Sequence, residues 1–92
     1  MRLDKYLKVS RLIKRRTVAA DACGANRIVV NGRPQRASYG VKIGDVIEIQ
    51  LGARPVAIEV LTIEDHVRKD DASTMYRQVS PITNTTESES AL

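Results

Sequence analysis

The sequence predicts a small α+β domain in which two N-terminal helices pack on a small, largely antiparallel sheet. Three observations carry this expectation. Apolar residues recur at helical spacing over the first ten positions, small residues dominate a second helical stretch, and β-type alternation with tight-turn signals fills positions 28 to 60.

Leu3, Tyr6, Leu7 and Ser10 form the apolar stripe of the first helix, which sends Lys5 and Lys8 to the opposite side. A second helix is expected to begin at Thr17, whose hydroxyl can cap the first-turn amides. In it Val18, Ala22 and Ala25 share a face, flanked by Ala19 and Cys23, and their small volume permits close packing on the first helix. Between the helices, Arg11 to Arg16 makes an exposed cationic corner anchored by Leu12 and Ile13. Gly24-Ala25-Asn26 closes the second helix. Either Gly24 or Asn26 suits the left-handed closing position, and the sequence leaves the choice open.

Ile28-Val29-Val30 reads as a short strand, and Asn31-Gly32 as a tight turn. Lys42-Ile43-Gly44-Asp45 is a second turn. After it Ile47, Ile49 and Leu51 alternate with Glu48 and Gln50, the period of a half-buried strand. Gly52 to Pro55 forms a hairpin loop, and Val56, Ile58 and Val60 return on one face opposite Glu59. Asp70 or Asp71 can cap a short terminal helix through Met75 and Tyr76. The expected organisation is a domain with its sheet extension over 1–63, a short C-terminal segment with that helix over 64–80, and a polar, disordered tail over 81–92.

Charge is distributed very unevenly. Positions 1 to 36 hold ten of the fifteen basic residues against Asp4 and Asp21, a balance of +8; the remainder carries −4, giving the net +4. A one-signed field on one face attracts a polyanion, so nucleic acid is the first candidate ligand. The alternative is a merely solvated charged face, the usual fate of charged runs. The three aromatics, Tyr6, Tyr39 and Tyr76, lie far apart in sequence, so phosphate and groove contacts are expected rather than base stacking. One cysteine excludes an internal disulfide and suits a reducing compartment. Charges interrupt every apolar run near Met1, so neither a signal-peptide core nor a membrane-spanning stretch is present, and a cytoplasmic location is expected.

The ordered combination Arg2-Leu3-Asp4-Lys5-Tyr6-Leu7, Lys14-Arg15-Arg16, Arg27-Ile28-Val29-Val30-Asn31-Gly32 and Gly44-Asp45-Val46-Ile47 resembles the S-four domain, an RNA-binding module named after ribosomal small-subunit protein four. The resemblance covers roughly residues 1 to 50. Over Met1 to Thr17, and again at Asp71-Ala72-Ser73-Thr74-Met75-Tyr76, the chain is similar to the short, stand-alone members that serve bacterial ribosome-associated quality control. This implies an S-four-like RNA-binding fold and a non-catalytic factor for stalled large ribosomal subunits. Its implied partners are rRNA, peptidyl-tRNA and RqcH, the factor that adds C-terminal alanine tails to stalled chains. A monomer that makes no membrane contact is expected. The chain departs from the family in carrying Asn26 where the domain usually has glycine.

The expected RNA-binding residues are Arg2, Lys5, Lys8, Arg11, Lys14, Arg15, Arg16, Arg27 and Arg33, led by Arg2 and Arg16. Those two stand at or beside helix starts, where the backbone dipole favours an anion and guanidinium can grip phosphate through two N–H groups. Asp4 reads as a first-turn acid that offsets the helix dipole and can orient a neighbouring arginine. No cofactor, metal site or catalytic residue is expected: His66 stands alone, Cys23 reads as core filler, and no glycine-rich NTPase loop occurs. Two rivals remain. A related heat-shock ribosome-rescue protein has a longer, basic C-terminal extension, unlike a tail with Glu87 and Glu89. An RNA-modifying enzyme would need a catalytic domain that residues after 63 leave no room for, so this chain would have to be a fragment; its start at Met1 and its acidic tail speak against that expectation.

Overall fold

The computed structural model describes residues 1–52, 55–65 and 67–79. Helix α1 (Leu3–Val9) and helix α2 (Arg16–Gly24) precede β1 (Ile28–Val30), β2 (Arg33–Pro34), β3 (Val46–Ile49) and β4 (Val56–Val60), then a 3-10 helix (Lys69–Met75) and β5 (Tyr76–Val79). The strands form one antiparallel sheet in the order β2-β1-β3-β4-β5. The expected α+β architecture is present. Pro34, which has no amide to donate, lies in the edge strand β2, where that loss is tolerated.

Helix α1 buries the stripe anticipated for it: Leu3, Tyr6 and Leu7 have no exposed surface and Ser10 almost none. Leu3, Tyr6 and Leu7 join Ile28, Val30, Ile47, Ile58, Val60 and Met75 in one core. The Tyr6 hydroxyl donates to the Met75 carbonyl at 3.0 Å, tying α1 to the 3-10 helix, and burial pushes its pKa well above the ordinary 10. Ile13 is buried and Leu12 partly so, which anchors the connection between the helices. Arg11 in that connection adopts a left-handed backbone, φ 62°, a position more usual for glycine or asparagine.

Several local expectations are corrected. Helix α2 begins at Arg16, one residue before Thr17, and no side chain caps it. Its buried face is Ala19, Ala22 and Cys23, whereas Val18 is 44% exposed and Ala25 lies on the surface. The helix is thus rotated from the expected face, because Ala19, Ala22 and Cys23 at i, i+3 and i+4 fit against the core just as small residues should. Asn26 takes the left-handed position with φ 60°, while Gly24 ends the helix itself. Asn31 and Gly32 both have positive φ, 52° and 86°, the conformation of a type I′ hairpin turn joining β1 to β2.

Glu48 has no exposed surface, against the expectation of a half-buried strand. It pairs across the sheet with Val29 and Ala57, both buried, so β3 is covered on both faces. Val56, expected on the buried side, is 36% exposed at the end of β4. The terminal helix is of 3-10 type, with Arg68 as its N-cap residue and Asp70 and Asp71 inside its first turn; Tyr76 starts β5 instead of ending the helix. Pairing with β4, including Val60 with Tyr76, captures the last four of these residues into the sheet. The hairpin residues Ala53 and Arg54, His66, and the tail expected over 81–92 lie outside the described residues. Among the described residues no helix is long and apolar enough to cross a membrane.

Candidate nucleic-acid interface

The cationic face is organised around one buried carboxylate. Asp4 sits in the first turn of α1 with its side chain only 5% exposed. Its Oδ1 accepts from the Lys5 amide at 2.8 Å and from Arg2 Nε at 3.2 Å. Its Oδ2 accepts from Arg16 Nε at 3.2 Å, and the Arg16 terminal nitrogen reaches Oδ1 at 3.5 Å. Burial by itself would raise the Asp4 pKa, but the hydrogen bonds from Arg16, Arg2 and the Lys5 amide outweigh it and hold the carboxyl below its ordinary 3.8.

The arginines themselves remain half in solvent, Arg2 at 55% and Arg16 at 48% side-chain exposure. A guanidinium has five N–H donors, so each keeps donors beyond those given to Asp4. Two cations share one anion and leave a net positive, preoriented pair. Neither side chain needs to be ordered again when an anion arrives, which lowers the entropic cost of binding. Asp4 therefore does both things anticipated for it: it lies at the helix start and it orients arginine, in fact two of them.

Lys5, Lys8, Arg11 and Arg16 continue this surface along a groove of about 370 Å³. Val9 also lines it, as do Asp65 and Val67 from the connection after β4. Lys5 Nζ lies 3.1 Å from Asp65 Oδ1. The structure thus brings Arg2, Lys5, Lys8, Arg11 and Arg16 around α1. Lys14 and Arg15 are exposed in the connection just before α2. Arg27 lies instead beside Val18, Asp21 and Leu51, and Arg33 is exposed on the edge strand β2, so neither lines the groove. Asp65 and Val67 escaped sequence reasoning because nothing local links them to Lys5, sixty residues earlier.

A second polar cluster fixes the loop between β2 and β3. Asp45 is buried and accepts from Asn31 Nδ2 at 3.0 Å, the Tyr39 hydroxyl at 2.9 Å and the Lys42 amide at 2.9 Å. Asn31 Oδ1 in turn accepts from the Val46 amide at 2.9 Å. Partial burial and the hydrogen bond to Asp45 raise the Tyr39 pKa. The loop meets the cationic face through its backbone: the Leu3 amide donates to the Tyr39 carbonyl and Arg2 bridges to Gly40.

Tyr6 is wholly buried, so its ring offers no face of the kind that stacks bases, and the partly buried Tyr39 donates its hydroxyl to Asp45. Cys23 is buried in the core; burial, then the Asp4 charge, raises its thiol pKa, the opposite of an activated nucleophile. Among the described residues no group of histidine, cysteine and carboxylate side chains is placed to hold a metal.

The S4 domain family matches residues 1–47. The chain is 51% identical over 76 residues to the RQC P-site tRNA stabilizing factor of Halalkalibacterium halodurans, covering 83% of this chain and 86% of that protein. It is 48% identical over 80 residues to the protein of the same name from Streptococcus pneumoniae, covering 87% and 91%. The Bacillus subtilis protein of that name is 46% identical over 76 residues, covering 83% and 88%. Among solved structures, the trimeric Heat Shock Protein 15 of Vibrio cholerae has a similar fold, with a TM-score of 0.81 at 28% identity over 99% of this chain and 91% of that one.

Proposed function

Since the chain belongs to the S4 domain family, within the group of the RQC P-site tRNA stabilizing factors, we propose that it is a non-catalytic RNA-binding factor of ribosome-associated quality control. It binds stalled large ribosomal subunits that carry peptidyl-tRNA, touches rRNA and tRNA together, and supports alanine tailing by RqcH. It acts as a monomer in the cytoplasm. The contacts come from Arg2, Lys5, Lys8, Arg11, Lys14, Arg15, Arg16, Arg27 and Arg33.

The observation that carries this reading is the buried Asp4 carboxylate holding the Arg2 and Arg16 guanidinium groups side by side. Paired, half-exposed guanidiniums with donors to spare suit phosphate oxygens, which accept two parallel N–H bonds. The likeness to Heat Shock Protein 15 supports a second reading, a ribosome-rescue factor for free large subunits with tRNA. The higher identity to the quality-control group, 51% against 28%, favours the first.

The test is to purify the tagged protein from cells and sequence the RNA that accompanies it. Large-subunit rRNA with tRNA is expected, together with loss of alanine tails when the protein is deleted. Recovery of messenger RNA alone would overturn the reading. Recovery of rRNA and tRNA with alanine tails unaffected would favour the rescue factor.

A further inference from the structure

A second groove, of about 610 Å³, lies between α2 and the segment that follows β2. Ala20 and Gly24 of α2 line it, together with Asn26, Gln35, Arg36 and Ser38. Among the described residues that line it, Arg36 alone carries a charge. Arg36 is exposed and makes no ion pair with any described residue. A cation left unneutralised in a groove without a lining acid favours an anion there.

The same residue that organises the first cationic surface also holds this one. The Asp4 amide donates to the Ala37 carbonyl at 3.2 Å and the Leu3 amide to the Tyr39 carbonyl at 2.8 Å. The Tyr39 amide closes a turn onto the Arg36 carbonyl at 3.0 Å. Asp4 thus holds Arg2 and Arg16 through its carboxylate and the segment carrying Arg36 through its amide. Helix α2 joins the two grooves as well: Arg16 lines the first, while Ala20 and Gly24, at the next two turns, line the second. At a rise of 1.5 Å per residue, Arg16 and Gly24 stand about 12 Å apart along the axis, farther than one phosphate reaches.

We propose that the second groove takes a further stretch of the same RNA backbone, with a phosphate on Arg36 and with Asn26, Gln35 and Ser38 as neutral hydrogen-bonding groups. The inference rests on the RNA-binding reading above and adds Arg36 to its contacts. Arginine, serine, asparagine and glutamine side chains all donate to phosphate and sugar oxygens in nucleic-acid complexes. Gly24 leaves room for the approach, since a β-carbon there would meet no heavy atom within 4 Å.

The experiment measures the affinity of the full chain for a fluorescently labelled RNA duplex across a salt series, beside thermal melting of each variant. Arg36→Gln is expected to weaken binding several-fold and to lower the slope of log affinity against log salt by about one unit, the loss of one phosphate contact. Arg36→Lys should keep the slope. Gly24→Glu sets a carboxylate in the open space and should bind more weakly than Gly24→Gln, with both folded. Arg77→Gln removes the same charge on β5, the edge of the sheet opposite β2, and should leave the slope unchanged. An unchanged slope in Arg36→Gln, an equal fall in Arg77→Gln, or equal binding by Gly24→Glu and Gly24→Gln would each overturn the inference. If the wild-type protein binds the duplex and the variants fail these criteria, only the second groove falls. If the wild-type protein binds neither the duplex nor large subunits, the RNA-binding reading falls and this inference with it.

Discussion

Arg16 donates from Nε to the Asp4 carboxylate at 3.2 Å, although twelve residues and the turn between two helices separate them. The bond joins the first position of α2 to the first turn of α1, so the residue with the strongest claim to an RNA contact is also part of the packing between the helices. That double role changes what its removal should do.

From the sequence alone, Arg16→Ala should leave stability almost untouched, as for any exposed arginine. The bond to buried Asp4 alters the expectation. Stability should fall by about 1 kcal/mol, a modest loss because Arg16 is half exposed and Arg2 and the Lys5 amide still hold the acid. Affinity for RNA should fall roughly ten- to a hundredfold, equivalent to about 1.5–3 kcal/mol for a charge-assisted contact. Arg16→Lys should recover only part of either loss, since an ammonium lacks the planar fork. Urea denaturation beside large-subunit co-sedimentation measures both. As a scale for structural damage, Leu7→Ala, wholly buried in the core, should cost about 2–5 kcal/mol.

Acid should expose the contribution of Asp4. Its folded pKa lies below the ordinary 3.8, so its ionised form contributes stability that is complete above that value and is lost as pH falls through the lower, folded value. The stability of the wild-type protein relative to Asp4→Asn should therefore decline below about pH 4 and be flat above about pH 5. Chemical denaturation of both proteins between pH 2 and 7 checks this; parallel curves over the whole range would contradict the clamp.

Asp45→Ala removes the shared acceptor of Asn31, Tyr39 and the Lys42 amide. Leaving partly buried donors without that partner should cost about 1–3 kcal/mol. Hydrogen exchange should rise over 31–45 before it rises in α1, whose core contacts remain. Uniform loss of protection would mean that Asp45 supports the entire fold rather than this loop.

The salt dependence of binding follows from the five cations gathered around α1, Arg2, Lys5, Lys8, Arg11 and Arg16. If each neutralises one phosphate, log affinity for an RNA duplex should fall by roughly four to five units per tenfold rise in salt, by analogy with the DNA duplex slope. A fluorescence titration from low to high salt gives the slope. A nearly flat line would remove the electrostatic basis of the interface.

The one-dimensional pattern specified whatever depends on near neighbours. Helical spacing of Leu3, Tyr6 and Leu7 marked the buried side of α1, and Asn31-Gly32 marked a turn that requires positive φ at both residues. The excess of basic residues before position 37 marked the half of the chain that carries the candidate interface. Periodicity failed where a second layer of structure was involved. The alternation around Glu48 describes which residues share a face, but not whether the other face is covered, and Glu48 proved wholly buried. Likewise Tyr76 to Val79 has no strong pattern of its own and becomes a strand by pairing with β4.

The meetings of Asp4 with Arg16 and of Lys5 with Asp65 were decided by tertiary structure alone. Side-chain period is a local property of the backbone, fixed over a few residues by its dihedral angles. Which charges meet across twelve or sixty residues depends instead on how the core draws α1, α2 and the connection after β4 together. Composition could place positive charge in the first half of this chain; only the packed core could set two arginines on one buried carboxylate and bring an acid to the edge of the groove.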